Sequence, residues 1–199
     1  MIGGGRIDLV CDDAGLRVSC DRMREWVSIS AHAVATYYGR FPVRSVTVKI
    51  ASAPGVRSSI HGSTFGFKDS ALIWIFVGTQ TTDADLRDDW VMTHEMVHPF
   101  IHVKPLRTNT KEWVEGACDF LRLVVFDAVG MSTIADKRVR LYRSLAWKPG
   151  ASFYHDHAGR LICWCQKLGV DYRRPSQLKK FLPKLWDTDL DATLGEPIK

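Results

Sequence analysis

Residues 81–99 constrain this chain more than any other segment. Thr81-Thr82-Asp83-Ala84-Asp85 offers an N-cap hydroxyl at Thr82 with a carboxylate three residues on. Acids crowd the turn that follows, where the helix dipole favours negative charge. The helix this predicts runs to about His98, because Pro99 has no N–H to continue the ladder. Within it, His94-Glu95-Met96-Val97-His98 sets two imidazoles four residues apart, about 400° around a helix and so on one face. With seven His and five Glu in 199 residues, chance supplies roughly 0.006 such matches. The pattern is a signal, not an accident of composition.

The rest of the chain reads as α+β, strands first and helices later. Arg6–Val10 and Leu16–Cys20 read as a hairpin around Asp12-Asp13-Ala14-Gly15. Asp21 to Tyr38 reads as a helix, with Trp26, Ile29, Ala33, Val34 and Tyr37 at three- and four-residue spacing and Gly39 as its stop. Val46–Ile50 alternates as a strand, Pro54–Ser63 is a loop, and Ala71–Val77 is a buried strand. A helix is expected from about Lys111 to Val129, then Thr133–Ala146, Tyr154–Leu168 and Ser176–Leu182. We expect a single domain over 1–199, mainly sheet plus one helix in 1–80 and mainly helical in 81–199. A small N-terminal mixed sheet would pack on the helix that carries the two histidines.

Composition excludes several classes. The chain is 46% hydrophobic and 25% charged, the proportions of a globular protein rather than a disordered or collagenous one. Its longest apolar run, Ala71 to Val77, is far short of the roughly 20 residues that span a bilayer, so no membrane span is expected. The net charge of +5 is uneven. Residues 81–119 hold eight acids and four bases, a local −4 inside surroundings of +9. Five cysteines are an odd count for a full disulfide framework, and Cys163-Trp-Cys165, in an apolar stretch, reads as a pair of buried free thiols. This usage leans towards a reducing compartment. The start lacks the apolar core of a signal peptide: the expectation is cytoplasmic if Met1 is the native start, secreted or periplasmic if a leader was removed.

Two imidazoles on one helical face can share a Zn²⁺, with Glu95 beside them to meet a water. A catalytic zinc needs a third protein ligand. Glu115, 17 residues after His98 on the next predicted helix, suits an antiparallel return. His102 is the alternative, with its direction obscured by Pro99. Asp119, one turn beyond Glu115, is placed to accept a hydrogen bond from a ligand histidine.

Together, His94-Glu95-Met96-Val97-His98 and Trp113-Val114-Glu115-Gly116-Ala117 resemble the gluzincin metallopeptidases, and within them the aminopeptidase N-like (peptidase MA-like) group. The resemblance extends over roughly Val43 to Leu168. It implies a zincin-like fold, a thermolysin-like site with His94, His98 and Glu115 on Zn²⁺, and zinc-dependent hydrolysis of peptide bonds by a metal-activated water, Glu95 acting as general base. A peptide or protein substrate follows. The resemblance also implies a later tyrosine that stabilises the oxyanion, here Tyr154, with His157 as the alternative. Gly62-Ser63-Thr64-Phe65-Gly66 and the strand to Val77 look like the group's cleft-lining edge strand, and Ala71–Val77 is expected to hold an extended peptide. No Gly-Ala-Met-Glu-Asn segment precedes His94, so exopeptidase action is not implied.

Two other readings compete. One is an SprT-like, nucleic-acid-associated metalloprotease, drawn from the basic residues Lys137-Arg138-Val139-Arg140, Arg143, Arg173-Arg174 and Lys179-Lys180, although such runs are more often solvated surface. The other is a non-catalytic zinc-stabilised binding module, against which the presence of Glu95 argues.

Overall fold

A computed structural model describes residues 1–66, 68–103, 111–131, 158–162, 165–166, 168–172, 174 and 176–178. They belong to two compact units, Met1–Phe100 and Ile101–Lys199. The fold is mixed α and β, as the pattern of the sequence implies.

The first unit is built on a four-stranded sheet. Its strands are β1 (Arg6–Cys11), β2 (Ser45–Ala53), β3 (Ile60–Gly66) and β4 (Ser70–Gly78), in spatial order β1-β2-β4-β3. β1 pairs parallel with β2, and β2 parallel with β4, while β3 runs antiparallel to β4. A parallel pair cannot be joined by a tight turn. Helix α1 (Cys20–Tyr38) supplies the crossover between β1 and β2 and ends at Gly39, whose φ of 78° is the left-handed stop a glycine adopts without strain.

This overturns the expected hairpin. Leu16–Cys20 is not a strand; the chain turns after β1 and enters α1. Asp13 accepts from the Cys20 N–H at 2.9 Å, so a loop carboxylate serves the first turn that Ser19 leaves uncapped. Cys11 and Cys20 are joined by a disulfide, tying the end of β1 to the start of α1. An odd count argues against a full disulfide framework but not against this one bridge. Cys118 and Cys165 are buried thiols outside this bridge, and burial pushes the Cys165 thiol up to about 12.

Alternation along the strands sets the core. Val46, Val48 and Ile50 of β2 and Ile73, Ile75 and Val77 of β4 are buried on one face, each contributing about 1.5–3 kcal/mol through the apolar surface it withdraws from water. Lys49, Trp74 and Phe76 alternate onto the opposite, exposed face, where Lys49 lies over the Trp74 ring. The register places Gly62 opposite Ile75 and Thr64 opposite Ile73, so both β3 residues look towards the buried side.

The helix expected from Thr82 to His98 is two helices. The capping box of Thr82 and Asp85 forms as read, opening α2 (Asp83–Arg87). The ladder then breaks and restarts as α3 (Val91–Val103), where the Asp89 carboxylate accepts from the Met92 N–H at 3.1 Å. Pro99 does not end α3, which continues a further turn. In the second unit, α4 (Lys111–Ala128) lies where the pattern predicts it. Among the described residues, no helix is long and apolar enough to cross a membrane.

Candidate metal centre

Every residue of α3 from Val91 to Pro99 is buried. A helix buried all round must satisfy its polar side chains within the protein, and three of these are His94, Glu95 and His98, at 5–6% exposure. Trp90 packs edge-on against His94, and His94 edge-on against His98. The i, i+4 spacing brings His94 Nε2 and His98 Nε2 to 3.1 Å. Two nitrogens on one tetrahedral zinc, at Zn–N of about 2.0–2.1 Å, would stand roughly 3.3 Å apart. The pair therefore fits a shared metal ion on geometry and on donor type.

Glu95 is held by the sheet. Its Oε2 accepts from the Thr64 hydroxyl at 2.7 Å, and the same hydroxyl lies 3.0 Å from its main-chain oxygen. The carboxylate lies against Gly62: a β-carbon there would stand 2.5 Å from Glu95 Cγ and 2.7 Å from Oε1. β3 thus fixes the acid between the two histidines from outside the helix that carries it.

β3 is an edge strand of the sheet among the described residues, while β4 is paired on both sides. The expectation that Ala71–Val77 presents a free edge is corrected. β3 comes from a stretch read as loop up to Ser63; its glycine and short polar residues mask the strand pattern.

The second unit carries Glu115, half-buried on α4, and Cys118, fully buried one turn on. Among the described residues, His94 and His98 in the first unit and Cys118 in the second are buried side chains able to ligate a metal; no spacing rule singles out Cys118. Asp119 Oδ1 accepts from Arg122 Nε at 2.9 Å, both residues essentially inaccessible. The i, i+3 spacing of this pair was the available signal for it. Tyr154, His157, Cys163 and the basic residues at 137–143, 173 and 179–180 lie outside the described residues, as does the side chain of His102.

Comparison with family models, curated proteins and solved structures gives no match.

Proposed function

We propose that this chain is a zinc-dependent hydrolase of peptide bonds. The observation that carries the reading is the buried pair of imidazole nitrogens 3.1 Å apart on α3, with the carboxylate of the residue between them held against an edge strand. His94 and His98 would hold the ion through Nε2, and α4 would supply the third protein donor, Glu115 in our reading. Bound zinc supplies Lewis acidity, lowering the pKa of water towards about 7 and polarising a carbonyl.

The chain's own groups do the rest. Glu95 accepts the proton of the attacking water at its carboxylate and delivers it to the leaving nitrogen. Tyr154, or His157 in its place, donates a hydrogen bond to the carbonyl oxygen as negative charge develops, the kind of term that usually dominates acyl transfer. β3 offers main-chain hydrogen bonds to an extended peptide, a register that would lay the scissile bond beside Glu95. The buried walls of α3 exclude bulk water and strengthen these interactions.

The test is Glu95→Gln. Zinc stoichiometry should stay at the wild-type value while hydrolysis of a mixed peptide library falls by at least about 10²-fold. Wild-type turnover in that variant sinks the mechanism. Glu115→Ala should cut zinc content sharply. If it does not, a thiolate charge-transfer band in the cobalt-substituted protein, lost in Cys118→Ser, would move the third position to Cys118.

A further inference from the structure

In an α-helix the carbonyl of residue i accepts from the N–H of residue i+4. For Glu95 that residue is Pro99, which has no N–H. The proline inside α3 therefore leaves the main-chain oxygen of Glu95 without its helical donor. The Thr64 hydroxyl of β3 stands 3.0 Å from that oxygen and 2.7 Å from Oε2 of the same residue. A single hydroxyl thus bridges the backbone and the side chain of Glu95. It carries one proton, and the charge-assisted bond to the carboxylate is the stronger of the two.

We infer that Thr64 is a positioning residue for Glu95, and that Pro99 makes its position possible by freeing the oxygen against which it docks. This rests on the hydrolase reading for its kinetic consequence, but not for its geometry. With Oε2 engaged by Thr64, Oε1 over Gly62 is the oxygen left to meet a water. The clamp would also keep the carboxylate from becoming a ligand itself to an ion held by His94 and His98. Thr64 touches neither metal nor substrate in this scheme; it acts through Glu95.

Thr64→Val keeps the shape and removes the donor. It should lower kcat by about 10–100-fold, the cost of a slightly misplaced catalytic group, with KM and zinc stoichiometry unchanged. Thr64→Ser should restore kcat to within a few-fold, roughly. A purely structural role would also cost activity, through lost stability, so a second variant separates the two. In Thr64→Val/Pro99→Ala the alanine N–H serves the Glu95 carbonyl, and Tm should recover while kcat stays low. If kcat recovers with Tm, Thr64 only satisfies the backbone and the proposal fails. Crystal structures of metal-free wild type and Thr64→Val give a readout independent of turnover. The Glu95 carboxylate should turn away from its wild-type position in the variant; an unmoved carboxylate overturns the proposal. A wild-type protein that cleaves no peptide, yet shows the turned carboxylate in Thr64→Val, would sink the hydrolase reading and leave the clamp standing.

Discussion

Gly62 is not among the glycines with positive φ, so what it contributes is room, not backbone freedom. A β-carbon at this position would enter the Glu95 side chain at Cγ, Cδ and Oε1, all within 2.8 Å. A long flexible acid could ordinarily swing aside at little cost, but Thr64 ties its far end. Gly62→Ala should therefore reduce hydrolysis as well as stability. We expect a loss of about 1–3 kcal/mol in urea unfolding, as for other overpacked sites, and a fall in kcat of at least about tenfold from the displaced carboxylate. Full activity at lowered stability would show that Glu95 has slack and that the contact matters only for packing. His94, Glu95 and His98 were legible because an i, i+4 rule is local. Gly62 and Thr64 lie some thirty residues away, and only the pairing of β3 with β4 brings them to α3. For Asp119 the local i, i+3 rule supplies a partner on its own helix, Arg122 at 2.9 Å, in addition to the role its place one turn beyond Glu115 suggests.

Elements whose ends are written in side chains were the most legible. Thr82 and Asp85 form the reciprocal cap their spacing announces: the Asp85 carboxylate accepts from the Thr82 N–H at 2.8 Å while the Asp85 N–H donates to the Thr82 hydroxyl at 3.3 Å. Hydrogen bonds from Thr82, hydroxyl first and backbone second, hold the Asp85 carboxyl below the usual carboxylate range. A carboxylate depressed by folding stabilises the native state above its unfolded pKa, about 3.9, and loses that contribution as pH falls through the folded value. Thr82→Ala removes the cap, which at an N-cap threonine costs about 0.5–1 kcal/mol at neutral pH. Its effect should shrink below about pH 4 as Asp85 protonates. Urea midpoints that differ equally at neutral and acid pH would show that the carboxylate takes no part. What the sequence concealed was the end of each helix written in tertiary terms. The α2–α3 break depends on Asp89 capping Met92, and at Pro99 the freed Glu95 carbonyl accepts from Thr64 of strand β3. The disulfide was hidden for the same reason, since Cys11 and Cys20 meet only because the chain turns into α1 instead of returning as a strand.

At the scale of the whole chain, the α+β class followed from the order of patterns, but the sheet order did not. Alternation says which face of a strand is buried and nothing about its neighbours, and β4 lies between β2 and β3 through pairings made across the chain. The acidic segment of 81–119 has a related meaning. Of its acids, Asp85 and Asp89 serve the first turns of α2 and α3, Glu95 is held by Thr64 and Asp119 pairs with Arg122, while Asp83, Asp85 and Asp88 stay exposed. This bears on how a metal would act on folding. Two buried imidazoles 3.1 Å apart converge only in the folded chain, and an ion bound there adds its binding free energy to the stability of the native state. At a free zinc concentration about a hundred times the dissociation constant, the gain is about 2.7 kcal/mol. Thermal unfolding should therefore move upward on adding zinc and fall back on chelation. Glu95→Gln should keep that response in full, because the acid holds no metal, whereas His98→Ala should abolish it while leaving the chelated Tm near that of the chelated wild type or below it. A wild-type melt unchanged by zinc would remove the metal from the site, and a response that survives in both His94→Ala and His98→Ala would place it elsewhere in the chain.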